Sequence, residues 1–224
     1  MATVSSVLHG ILPPYVHRAY WAIVNRLRPP PTVEEELQGE SLFDGNDALF
    51  TSCVSDADVY GEYGCGKSTV WVSRHADCDM VSVDTSREWI GRVQSMLGSS
   101  SRQRRLVHVD LGEIGRWGTP VSYAQRHRII EYVSAPWSDE SRKPDVVLID
   151  GRFRIACFLY SLLHSSPGCV IIIDDYSDRP HYHVVEEFCA VSRRVGRQVM
   201  FVTPDSINRS DIEAELSKFM YVRD

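Results

Sequence analysis

The sequence predicts an α/β fold: a doubly wound, mostly parallel sheet with helices on both faces. Three observations predict it. From Asp58 onward, short apolar runs alternate with stretches of helical periodicity. Two of those runs, Val146-Val147-Leu148-Ile149 and Val170-Ile171-Ile172-Ile173, are apolar at every position. The polar residues of interest fall where the runs end. A strand that is apolar on both faces must be covered by helices on both. Alternating strands and helices close into parallel pairs through right-handed crossovers. In such sheets ligands settle beyond the carboxyl ends of the strands.

Residues 1–57 are expected to form an N-terminal helical extension and connector, and residues 58–224 the α/β domain. Tyr15 to Leu27 reads as a short amphipathic helix, with Tyr20, Trp21, Ile23, Val24 and Leu27 apolar and Arg18, Arg26 and Arg28 basic. Pro29-Pro30-Pro31 ends it, because proline lacks the amide donor and restricts its predecessor. Thr32 to Gly45 is an acidic, polar connector. Strands follow over Asp58–Tyr63, Met80–Asp84, Leu106–Val109, Asp145–Asp150, Cys169–Asp174 and Gln198–Val202. A last strand, expected to run antiparallel, is placed over Phe219–Val222. Helices are read from the i, i+3, i+4, i+7 spacing of Phe153, Ala156, Cys157, Tyr160 and Leu163. The same spacing marks a helix through Trp89, Ile90, Val93 and Leu97, and another through Val184, Val185, Phe188 and Val191.

Composition bounds the function. The chain has 224 residues, 43% hydrophobic and 24% charged, which excludes a disordered chain, a collagen-like fibre and a disulfide-stapled miniprotein. Its net charge of -6 speaks against a general nucleic-acid binder, because phosphates call for a basic face. The local run Arg102, Arg104 and Arg105, set among serines, reads as a solvated loop. No apolar run reaches the ~18 residues of a membrane span, and the start of the chain lacks a secretory pattern. Six cysteines show no metal-binding spacing and most sit beside apolar residues, as reduced core thiols of a cytoplasmic protein do.

The most informative stretch is Val59-Tyr60-Gly61-Glu62-Tyr63-Gly64-Cys65-Gly66-Lys67-Ser68-Thr69. It satisfies two motifs at once. Gly61, Gly66, Lys67 and Ser68 match the G-x-x-x-x-G-K-S loop that cradles phosphates. Glu62, Gly64 and Gly66 match an acidic-x-Gly-x-Gly loop that approaches an adenosyl ligand. Both use glycine for a tight turn before a helix N-terminus. Asp84 ends the next strand, and an acid about 20 residues after the loop is placed to accept both ribose hydroxyls. The phosphate reading leaves Asp84 idle, yet Val170–Asp174 followed by Asp175 resembles the magnesium-binding strand of a nucleotide hydrolase or kinase, with the 102–105 arginines as its lid.

With these motifs in place, the sequence resembles a class I S-adenosylmethionine-dependent methyltransferase, over a Rossmann-like sheet from about Asp58 to the C-terminus. The resemblance implies that Glu62, Tyr63, Gly64, Cys65, Gly66, Ser68, Thr69, Asp84, Thr85, Asp110, Leu111 and Asp150 bind S-adenosylmethionine, with Asp110 meeting the adenine amino group. Leu148-Ile149-Asp150-Gly151 and Ile172-Ile173-Asp174-Asp175-Tyr176 are similar to the metal-dependent, macrocin-type sugar O-methyltransferases. That similarity implies a divalent cation such as magnesium on Asp150, Asp174 and Asp175. This sequence has Arg152-Phe153-Arg154 where that type carries acidic and aromatic residues.

Three neighbouring carboxylates repel one another and call for a cation, raised pKa values or basic partners. A hard cation on Asp150 and Asp175 would activate a hydroxyl acceptor. Without a cation, His181 after Pro180 is the candidate general base. Arg152, Arg154 and Arg179 flank the expected pocket. They suit either an anionic acceptor, held bidentately, or internal pairing with the aspartates. The expected partner is a small molecule, anionic or sugar-like, and not nucleic acid. The N-terminal extension leaves a homodimer open. A non-catalytic cofactor-binding protein of the same fold is the remaining alternative.

Overall fold

The computed structural model describes residues 41–45 and 47–223. They lie within one compact unit, Val33–Asp224. The amphipathic stretch Tyr15–Leu27 and the proline run fall outside the described residues. Numbered from the first described element, the order is α1 (Ala48–Val54), β1 (Val59–Tyr63), α2 (Lys67–His75), β2 (Asp79–Asp84), α3 (Arg87–Met96), β3 (Arg104–His108), α4 (Ile129–Ser134), β4 (Val146–Ile149), α5 (Arg154–His164), β5 (Val170–Ile173), a 3-10 helix (Pro180–Glu187), β6 (Val191–Val195), β7 (Gln198–Val202) and α6 (Arg209–Phe219). No helix among the described residues is long and apolar enough to cross a membrane.

The sheet has seven strands in the order β3-β2-β1-β4-β5-β7-β6. β1 to β5 pair in parallel, while β7 runs antiparallel to β5 and β6 antiparallel to β7. The doubly wound, mostly parallel sheet with an antiparallel end is the expected one. The chain reverses its winding between β1 and β4, the switch point at which sheets of this kind leave a ligand crevice. Two apolar layers cover the sheet. Tyr63, Val83, Ile149, Ile173 and Val199 face one layer, together with α5 residues Ala156, Phe158 and Leu162. Tyr60, Met80, Leu148 and Ile172 face the other, where Phe43, Phe50 and Val54 pack.

The register sets out the functional end. Tyr63, Val83, Ile149, Ile173 and Val199 are mutual partners across five strands. One residue beyond them lie Gly64, Asp84, Asp150, Asp174 and Gln198. Pairing continues that far, because Gly64 N–H donates to Val83 O at 2.8 Å, Asp150 N–H to Tyr63 O at 3.0 Å and Asp174 N–H to Ile149 O at 3.1 Å. Strand side chains alternate faces, so this polar row turns away from the Tyr63 layer. Gly64 is the gap in it, between Asp84 and Asp150.

Three stretches differ from the expectation. Phe219–Val222 is not a strand: Phe219 closes α6, whose buried Ile212 and Leu216 continue to Phe219 at helical spacing. The helix read through Val184 to Val191 stops early. Pro180–Glu187 is a 3-10 helix, and Val191 opens β6 to pair with Phe201. A short apolar run fits either period, and here pairing to the sheet decides. Arg104 and Arg105 likewise belong to β3, not to a loop. They donate to Gly98 O at 2.6 Å and Ala135 O at 2.9 Å, while Arg102 pairs with Asp77 at 2.8 Å. No disulfide joins cysteines among the described residues, and all but Cys53 are buried.

Candidate active site

The glycine loop joins β1 to α2. Gly64 is left-handed, with φ +89, and a Cβ there would lie 2.7 Å from Gly151 Cα. Gly151 is equally confined, since its Cβ would meet the Tyr132 hydroxyl at 2.1 Å and Gly64 N at 2.9 Å. The loop after β1 and the turn after β4 thus touch backbone to backbone, which only glycine permits. The Gly66 side is open: a Cβ there would find only Trp89, at 4.0 Å.

Glu62 holds this loop from beneath. It is fully buried and accepts hydroxyl hydrogen bonds from Ser68, from Thr69 at 2.5 Å and from Ser82 at 2.7 Å. Burial raises its pKa, and the Ser68, Thr69 and Ser82 hydroxyls oppose the rise. Glu62, Ser68 and Thr69 therefore bond to one another and brace the turn. Tyr63 points into the core, donating to Val133 O at 2.6 Å and accepting from Trp137 Nε1 at 3.0 Å. What it offers the crevice is backbone. The Cys65 thiol is pushed well up by burial and then by Asp84, so it is no nucleophile.

Asp84 faces the loop from the end of β2. Its Oδ2 accepts from Cys65 N–H at 3.1 Å, and its Oδ1 from Ser86 N–H at 2.7 Å. Burial pushes its pKa up to about 6 against those amide bonds. Thr85 donates to Gly118 O at 2.9 Å. Asp110 is exposed and accepts from Gly112 N–H at 2.9 Å, while Leu111 is buried in the core.

Asp150, Asp174 and Asp175 do come together, offering oxygens within 4.8 Å of one another. Three guanidinium groups are already there. Arg154 reaches Asp150 Oδ1 at 3.0 Å and Asp175 Oδ2 at 3.6 Å. Arg179 reaches Asp175 Oδ2 at 2.7 Å. Arg197 clasps Asp174, with Nε to Oδ2 at 2.9 Å, and touches Asp175 at 3.0 Å and Asp44 at 2.5 Å. Three negative charges face three positive ones, and a divalent cation would have to displace arginines. A cation expected on these residues would compete with guanidinium groups already bonded to each carboxylate. Burial first, then the Asp174 charge, pushes Asp150 up to about 7, with Arg154 opposing.

His181 is exposed and packs on the Tyr182 ring at 4.4 Å. Its contact is with that ring and not with the carboxylates. Two further residues complete the site. Arg197 follows left-handed Gly196 in the β6–β7 hairpin, a hairpin hidden by reading Val191 as helical. Tyr132 lies on α4, and its hydroxyl accepts from Arg152 N–H at 3.3 Å. Backbone strain gathers here as well. The described non-glycine residues with positive φ are Asp44, Trp117, Phe153 and Asp175. Phe153 and Asp175 follow β4 and β5, Asp44 is tied to Arg197, and Trp117 precedes the Gly118 bonded to Thr85. Such strain persists only where the surrounding structure over-determines it.

The phosphate-loop reading loses its chemistry. Lys67 Nζ donates to Ser41 O at 3.0 Å, and the Ser68 hydroxyl is engaged by Glu62.

No protein-family model matches the chain, and no curated protein matches it. Among solved structures, a methyltransferase-like protein from Silicibacter pomeroyi is 32% identical, with a TM-score of 0.73, over 82% of this chain and 98% of that one. The N-methyltransferase NodS from Bradyrhizobium japonicum, in complex with S-adenosyl-L-homocysteine, is 12% identical with a TM-score of 0.48, over 77% of this chain and 96% of that one.

Proposed function

This chain belongs to the class I methyltransferase superfamily, and on that premise we propose that it transfers a methyl group from S-adenosylmethionine to the oxygen of a small molecule. The observation that carries the reading is the polar row at the strand ends, in which the Asp84 carboxylate is bonded to the Cys65 amide of the glycine loop. The residues fit an adenosyl ligand. Asp84 has acceptor capacity left on both oxygens after its two amide bonds. The open face of Gly66 gives a ligand room against backbone, at the start of α2. Asp110 is exposed at the end of β3 for the base.

When bound, the cofactor supplies an electrophilic methyl on a sulfonium, a leaving group that needs no protonation. The protein must align the acceptor and take its proton. Asp150 stands beside Gly64 in the row and keeps one oxygen on Arg154. With a pKa near 7 it is suited to accept a hydroxyl proton at neutral pH. Arg154 and Arg179 hold the carboxylates in place of a metal.

Calorimetric titration tests this. The protein is expected to bind S-adenosylhomocysteine and not ATP, with or without magnesium. Asp84→Asn weakens that binding about 10- to 100-fold, the worth of a charged hydrogen bond. Lys67→Ala leaves it unchanged. ATP binding that disappears in Lys67→Ala would favour a nucleotide hydrolase or kinase instead. Cofactor binding without turnover on any acceptor would favour a non-catalytic binding protein.

A further inference from the structure

We propose that Tyr221–Arg223 is a strap that holds down the chain between β3 and α4, and that its release gates the entry and exit of the bound nucleoside. The proposal rests on the methyltransferase reading for the identity of that nucleoside, while the strap itself stands on contacts. Between β3 and α4 the chain forms a short hairpin and one-turn 3-10 segments in place of strand or α-helix. Gly115 N–H donates to Thr119 O at 2.8 Å, Val121 N–H donates to Glu113 O at 2.9 Å, and Ile114 bridges Pro120. Among the described residues between Leu111 and Ile129, Pro120 alone is buried. A segment with so few buried contacts opens at low cost, and long irregular connections of this kind serve as lids.

Two clasps keep the segment down. The inner one is Thr85, whose Oγ1 donates to Gly118 O at 2.9 Å. Thr85 directly follows Asp84, so the hairpin is fastened next to the residue that receives the ribose. The outer clasp is the tail after α6. The Tyr123 hydroxyl donates to Tyr221 O at 3.0 Å. The Arg223 guanidinium lies over the Tyr123 ring at 4.1 Å and donates to Pro120 O. One tyrosine is thus held at its hydroxyl and on its face, and the buried proline at its carbonyl. The other end of the strap is firm. Ile212 and Leu216 of α6 are buried, and the tail leaves that helix through a turn in which Val222 N–H donates to Phe219 O at 3.0 Å. Leu111, Pro120, Tyr123, Ile129 and Arg223 line one narrow cleft under the clasp. The clasp itself is at the surface, Tyr123 being 41% and Tyr221 48% exposed. A cation over an exposed ring and a charged hydrogen bond favour the closed form, yet are weak enough to let go. The tail therefore sets how often the segment beside Asp84 opens, as a lid does.

Hydrogen exchange of the unliganded protein reads the strap directly. In Arg223→Ala the Gly115 and Val121 amides are expected to exchange about ten-fold faster, the worth of a charged hydrogen bond, while the amides of β4 and β5 keep their wild-type rates. Tyr123→Phe loses the hydroxyl bond but keeps the ring, and accelerates the same amides less. Arg223→Lys keeps a cation over the ring and stays nearest to wild type. Stopped-flow dissociation of S-adenosylhomocysteine is expected to quicken in Arg223→Ala by about the same factor as the exchange. Unchanged exchange at Gly115 and Val121 in Arg223→Ala overturns the strap, and so does equal acceleration in the hairpin and in β4, which is global loosening. Faster exchange with unchanged dissociation overturns the gate. Failure of the wild type to bind S-adenosylhomocysteine overturns the methyltransferase reading and the gate with it, and the exchange rates then decide the strap by themselves.

Discussion

Arg154→Met is expected to destabilise the protein by about 3–5 kcal/mol, the cost of breaking a buried ion pair by removing one partner. At ~2–4 °C per kcal/mol for a chain of this size, the melting midpoint should fall by roughly 6–20 °C. Arg154 is only 2% exposed. Its guanidinium donates to Gly151 O at 3.0 Å, Asp150 O at 3.1 Å and Asp174 O at 2.5 Å, besides the Asp150 carboxylate. It thus ties the turn after β4 to the turn after β5. Methionine fills similar space but leaves those carbonyls without their donor and the Asp150 charge without its partner. Arg154→Lys should recover little, because an ammonium lacks the planar fork that reaches several acceptors at once. Arg102→Ala, at an exposed pair, should leave the midpoint where it was. Calorimetric melting of the three variants checks this.

Asp150→Asn is expected to lower kcat about 10²- to 10⁴-fold, as loss of a positioned base does, while cofactor affinity changes far less. The pH dependence follows from the same carboxyl group. Turnover needs its ionised form, so activity should rise with pH through a midpoint near 7. The limb should vanish from the residual activity of Asp150→Asn. Stability moves the opposite way. Burial raises this group in the folded state from its ordinary 3.8 to about 7, so folding binds its proton more tightly. The stability this contributes is full below pH ~4 and is lost as pH rises through ~7. Relative to Asp150→Asn, wild type should therefore be less stable at pH 8 than at pH 4. Chelators should alter neither profile, because arginines occupy the place of a metal.

What the sequence discloses depends on where the physics is local. β4 and β5 are readable because a buried parallel strand must be apolar throughout. β7 is found at its observed bounds, Gln198–Val202. The glycine loop and Asp84 are readable because turn chemistry and spacing travel together. The neighbourhood of Asp150, Asp174 and Asp175 follows from strand order alone. Their charge balance does not, because it depends on Arg197, which arrives from an antiparallel hairpin beyond β5. That hairpin was hidden when Val191 was counted on a helix face. Glu62 is legible as part of a motif but not in its role. Only the register shows Ser82 beside it, with Ser68 and Thr69 closing over its other side. Tyr132 carries no signal in the sequence, since its place over Gly151 depends on how α4 packs.

The crevice between β1 and β4 is proposed to receive an S-adenosyl ligand with its ribose on Asp84. A crystal structure of the protein with S-adenosylhomocysteine tests it most directly. Both ribose hydroxyls are expected within hydrogen-bond distance of the Asp84 carboxylate, with the chain of the ligand over Gly64 to Gly66 and its sulfur toward Asp150. An empty crevice at saturating ligand, or a ribose bound away from Asp84, would contradict it.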